Sequence, residues 1–134
     1  MDEANVRSVD DLSLEWSREI VMKSMDYLYD SEKREYYKVY RGKRSYICKE
    51  SDLDLILDSK ACLIVLERMC QKENLGFEIR KKSPWQEDDY VWTVELSHYD
   101  YIKEERKTYI GGDDCFELAV CDVLTSYYDL DLIS

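Results

Sequence analysis

Apolar positions recur along the chain in two rhythms. A period near 3.6 marks helices, and alternation marks strands. The first helical stretch covers residues 10–27, where Leu14, Trp16, Ile20, Val21 and Met25 lean to one side and Asp10 or Asp11 can cap the free amides. A second follows Asp58 or Ser59. There Cys62, Leu63, Leu66, Met69 and Cys70 keep helical spacing, and Lys72 and a left-handed Gly76 suit the end. A third begins near Asp113 or Asp114, with Asp114 and Glu117 at capping-box spacing. Its stripe is Phe116, Ala119, Val120, Val123, Leu124 and Tyr127.

Between the helices lie short runs rich in Tyr, Val and Ile. Residues 34–40 and 45–49 flank Gly42 and predict a β-hairpin. Residues 77–80, 90–97 and 107–110 predict three more strands, the last ending at Gly111 and Gly112. Residues 29–32 read as a polar break, and residues 51–58 fit a strand, a loop or an early helical turn. The connectors are 81–89, which holds Pro84, and 97–106. The ends, 1–8 and 129–134, read as frayed. The expected order is α-β-β-α-β-β-β-α in one domain spanning residues 1–134. This is an α+β chain with a mostly antiparallel sheet and helices packed on it, an α/β/α layered sandwich. No internal repeat or compositional shift is apparent.

The later part of the chain resembles the phage ABA sandwich domain, a small module of phages and prophages of Gram-positive bacteria. The resemblance rests on several short stretches. They are Ser59, Lys60 and Ala61 opening a helix that ends with residues 65–69, then Phe77, Glu78 and Ile79, then Trp92, Thr93 and Val94. The turn at 111–114 and the helix at 118–124 follow, and residues 17–22 match the opening helix. It covers about residues 14–128, departing from the family where Cys121, Asp122 and Val123 replace a more alanine-rich helix. It implies a layered fold and a phage or prophage origin, and carries over no catalytic residue.

Composition narrows the classes. The chain has 134 residues, 45% of them apolar, which is too many for a disordered tail. The longest apolar run, residues 61–66, is far short of a membrane span, and the acidic start lacks the basic and apolar parts of a signal peptide. The expected location is therefore cytoplasmic, with no membrane partner. Five cysteines (Cys48, Cys62, Cys70, Cys115 and Cys121) and one histidine, His98, make neither a disulfide framework nor paired zinc ligands. Four of the five thiols sit in apolar helix or strand patterns and read as buried. No metal or cofactor is expected.

Nucleotide-binding and hydrolase motifs are absent. His98 reads as a surface residue at a strand end. The carboxylate pairs Asp88–Asp89 and Asp113–Asp114 lack the unlike environments that acid–base chemistry needs. The expectation is that the protein is not an enzyme.

Charge is unevenly spread on a chain of net charge −11. Residues 33–49 carry seven basic side chains and one acidic, while residues 113–134 carry six acidic and none basic. Cations among Tyr36, Tyr37, Tyr40 and Tyr46 could meet a phosphorylated, base-containing ligand. The same cations could guard a sheet edge, or pair with the acidic tail within one chain or across a homodimer. The acidic remainder could imitate nucleic-acid phosphates or serve only solubility, and duplex DNA is not an expected partner. There are twelve tyrosines, a residue enriched at binding surfaces. The candidate contact residues are Lys38, Tyr40, Arg41, Lys43, Arg44, Tyr46, Tyr99 and Tyr101. The leading expectation is a phage-encoded protein that occupies or inhibits a host protein or complex. The alternative is a nucleotide binder using the hairpin at 33–49.

Overall fold

The computed structural model describes residues 9–87 and 90–130. The ends expected to fray and the Asp88–Asp89 pair lie wholly or partly outside these residues. The side chains of residues 9–14 are outside the description too, and with them the expected Asp10 or Asp11 cap and the Leu14 contribution.

The described residues form helix α1 (Val9–Met25), strands β1 (Leu28–Asp30), β2 (Glu35–Tyr40) and β3 (Lys43–Lys49), and a 3-10 turn (Glu50–Leu53). Helix α2 (Ser59–Glu73), strands β4 (Gly76–Lys81), β5 (Trp92–Asp100) and β6 (Glu105–Asp113), and helix α3 (Phe116–Tyr128) follow. The α+β class and antiparallel pairing hold. The expected order does not, because Tyr29 and Asp30 belong to an additional strand, β1. Nor do the strands make one sheet: β1-β2-β3 form sheet 1, and β4-β5-β6 form sheet 2. All three helices touch one another, sheet 1 meets α1, and sheet 2 packs chiefly under α3.

The reason lies in which side chains face inward. Ile20 and Val21 of α1 join Val65, Leu66 and Met69 of α2 and Val120, Val123 and Leu124 of α3 in one fully buried cluster. Sheet 2 contributes Val94 and Leu96, and sheet 1 contributes Tyr36. Polar contacts hold the helices in place. The Trp16 indole donates to Thr125 Oγ1 at 2.7 Å. Buried Ser17 accepts from the Leu55 amide at 2.9 Å and donates to the Leu53 carbonyl at 3.3 Å, fixing the segment that read as ambiguous.

Turn chemistry departs from expectation because glycine is scarce. Asp26, Asn74 and Asp129 follow the three helices, each with φ between 52° and 58°. Asn74 therefore holds the left-handed position expected of Gly76, which instead opens β4. The Asp114–Glu117 capping box does not form: Cys115 is the N-cap of α3, and Asp114 accepts from the Val91 amide. The two long hairpins share one turn. Asp30 Oδ1 accepts from the amides of Glu32 and Lys33, and Asp100 Oδ1 from those of Ile102 and Lys103, at 3.0 and 3.2 Å in both. Arg34 and Glu104 then take positive φ, 53° and 54°. Both turns carry the pattern Tyr-Asp-x-x-Lys-x-Glu, at 29–35 and 99–105, a short repeat where none was expected. The β2–β3 turn is different: Arg41 and Gly42 have φ of 51° and 78°, the signature of a type I′ turn.

Buried Glu50 ties sheet 1 to α1. It accepts from Arg18 Nε and Nη2 at 3.3 Å and from the Tyr29 hydroxyl, while Arg18 lies 4.3 Å over the Tyr29 ring. Burial first, and then this carboxylate, raises the Tyr29 phenol above its ordinary pKa. Glu50→Ala is expected to destabilise the fold by about 2 kcal/mol, because Arg18 and Tyr29 lose their shared acceptor. Arg18 keeps some contact with water, which holds the loss below that of a fully buried pair. Urea unfolding checks this, and an unchanged midpoint would show that the cluster contributes nothing.

Candidate functional site

Six of the eight expected contact residues lie on the β2–β3 hairpin. Register puts Leu28, Tyr37 and Tyr46 in one row across sheet 1, and Val39 opposite Arg44 in the next. Alternation along β2 turns Tyr36 into the core and leaves Tyr37 on the open face, and a β-bulge at Ile47 lets their partners, Cys48 and Tyr46, follow. Leu28, Val39, Tyr40 and Tyr46 are all exposed.

The cations of the hairpin have separate environments. Arg44 stacks 3.8 Å from the Tyr37 ring centroid and pairs with Asp30 at 2.9 Å. The Lys33 amide, followed by Arg44 and the Glu32 amide, holds the Asp30 carboxyl below its ordinary pKa. Arg41 lies 5.4 Å over the Tyr40 ring. Lys38 reaches under the sheet to the Tyr27 ring, also at 5.4 Å. Among the described residues Arg41, Lys43 and Lys38 make no ion pair, and the hairpin's one ion pair is to β1 rather than to the acidic C-terminal segment. Arg44 and Arg41 are thus directed at different rings and do not form a ready-made phosphate cradle.

Tyr99 and Tyr101 belong to the other sheet, at the β5–β6 turn. Their rings meet edge to face at 4.7 Å. With Asn74, Ser97, His98 and Arg106 they line a cleft of about 360 Å³. His98 is therefore a half-buried strand residue rather than the exposed end of one. Ser97 and His98 are adjacent in β5, so their side chains project from opposite faces and cannot form a nucleophile–base pair. Among the described residues no cluster of His, Cys, Asp or Glu suits a metal ion. Three thiols, Cys62, Cys70 and Cys121, are buried, whereas Cys48 and Cys115 are half-buried.

The chain matches no family model, no curated protein and no solved structure. No described helix is long and apolar enough to cross a membrane.

Arg68, which had no expected role, and Lys72, expected only as a helix-end cation, join Lys38 in a second cleft, between α2 and the underside of the hairpin. They are four residues apart and share one helix face, but such pairs are common on solvated helices. Only the fold brings Lys38 to them.

Proposed function

We propose that the protein is a non-enzymatic binding protein that occupies an acidic protein partner through the open face and tip of sheet 1. One observation carries this reading. Leu28, Val39 and Tyr46 are exposed together, beside cations that have few carboxylate partners, on a chain whose net charge is −11. A monomer gains nothing from such a face, whereas an interface core of aromatic and aliphatic groups with an arginine does. The cationic tip supplies charge complementarity and a faster encounter. The layered-sandwich resemblance supports a setting in which the partner is a host protein or complex, met in the cytoplasm of a phage-infected bacterium.

Pull-downs from host lysate with wild-type protein and with Val39→Asp test the reading. Val39 is 52% exposed, so the substitution leaves the core untouched. The expected result is one specific partner, weakened by moderate salt and reduced at least tenfold by Val39→Asp. Equal recovery by both proteins, or turnover of a metabolite with no partner retained, would overturn it. A homodimer dissociated by Val39→Asp would assign the face to self-association instead.

A further inference from the structure

We propose that the cleft between the end of α1, helix α2 and the underside of β2 binds the phosphoryl group of a phosphate monoester. The cleft measures about 210 Å³ and is lined by Ser24, Asp26, Tyr27, Lys38, Arg68 and Lys72, together with Met25. Three cations from two elements converge there.

Their partners show which positive charge is already used. Lys72 Nζ lies 3.3 Å from Asp26 and donates to the Lys23 carbonyl at 3.1 Å, so it satisfies the negative end of α1. Lys38 and Arg68 have no such commitment. Lys38 sits over the face of Tyr27, and Arg68 Nη1 is 3.4 Å from the Tyr27 hydroxyl. Neither makes an ion pair among the described residues, although the chain has 30 acidic side chains to offer. Two cations gathered at one tyrosine, with the cleft's carboxylate, Asp26, taken by Lys72, are a place for an anion to complete.

Ser24 contributes to the wall of the cleft but its hydroxyl is buried and turned towards that of Tyr128, so the two cations are the groups that would meet an anion. The cleft is smaller than the roughly 300 Å³ at which pockets begin to enclose drug-sized ligands. It therefore suits a compact head group whose remainder lies outside, towards exposed Tyr40 and Lys43 on the overhanging hairpin. A phosphate monoester, with up to two negative charges and several acceptor oxygens, matches a lysine and an arginine.

The test is an NMR titration of the full chain at constant ionic strength with inorganic phosphate, adenosine 5′-monophosphate and sodium chloride. The expected result is a saturable shift of the Tyr27 and Arg68 signals with phosphate and the monophosphate but not with chloride. Arg68→Gln and Lys38→Gln should each weaken binding at least tenfold, Arg68→Lys should restore part of it, and Lys107→Gln, on exposed β6 away from the cleft, should leave phosphate binding unchanged. Both glutamine variants change exposed side chains, and an unchanged spectrum elsewhere confirms their fold. The absence of a saturable shift with either phosphate compound, or equal weakening by Lys107→Gln, would overturn the proposal. Tighter binding of the monophosphate than of phosphate would support a nucleotide-type ligand reaching the hairpin, and equal binding would support capture of the head group alone.

Discussion

Gly111→Ala is expected to destabilise the protein by about 3 kcal/mol or more, the severe end of overpacking. A Cβ at Gly111 would stand 2.4 Å from the Val123 amide nitrogen and 2.8 Å from both the Ala119 carbonyl oxygen and the Val123 Cα. These are backbone atoms of α3, so no side-chain rotation relieves the clash, and β6 and the helix must separate. That would open the contact burying Val94, Val120 and Val123. Against a typical stability of about 5–15 kcal/mol the loss is large, and it should lower the thermal midpoint by on the order of 10 °C. Gly42→Ala is the comparison. A Cβ there meets nothing within 4 Å, and the cost is only the positive φ, about 1 kcal/mol. Thermal unfolding of the two variants checks the prediction, and equal midpoints would show that α3 does not press on β6 at this point.

The second large effect is alkaline. Burial pushes the Cys70 thiol up to about 11 and the Cys62 thiol up to about 12, and raises that of Cys121 further still. In the unfolded chain these thiols ionise near 9.0. The folded state therefore holds protons that the unfolded state releases. The stability contributed by this difference is whole below pH 9 and is withdrawn as pH climbs from 9 towards 11 and 12. One pH unit above the ordinary thiol value the three groups together should cost about 4 kcal/mol. Tyr127, raised to about 12 mainly by burial and then by Glu73, adds to the loss above pH 10. Denaturant unfolding at pH 8, 9 and 10 should show the decline, and a flat profile would mean that water reaches the thiols. The same burial predicts that a thiol reagent at pH 8 labels Cys48 and Cys115 and spares the other three until the chain unfolds.

Much of the fold was legible in the sequence. Helix α2 with its Asp58 cap, the stripe of α3 and the hairpin of β2 and β3 were readable because period and punctuation agreed. Strand β1 was not, because Tyr29 and Asp30 resemble a turn and pairing with Tyr36 and Glu35 decides their state. The far ends of β5 and β6 were missed for a related reason. Their turn is closed by the Asp100 carboxylate and a left-handed Glu104, with no glycine to announce it. Gly111 and Gly112 misled in the opposite sense, as they stay in the strand, where the backbone of α3 fills the space beside Gly111 and the Tyr90 ring that beside Gly112. The candidate site divided in the same way. The basic, tyrosine-rich hairpin was evident from composition, whereas the convergence of Lys38 with Arg68 and Lys72 depends on how the hairpin overhangs α2, which no local pattern encodes.

The crest of that hairpin carries a last implication. A type I′ turn is most comfortable with asparagine at its first central position, yet the chain places Arg41 there, at a local expense of about 1 kcal/mol. A guanidinium thus stands at the turn that ends the β2–β3 hairpin, over the Tyr40 ring, where an exposed positive charge would draw an anionic molecule towards the tip.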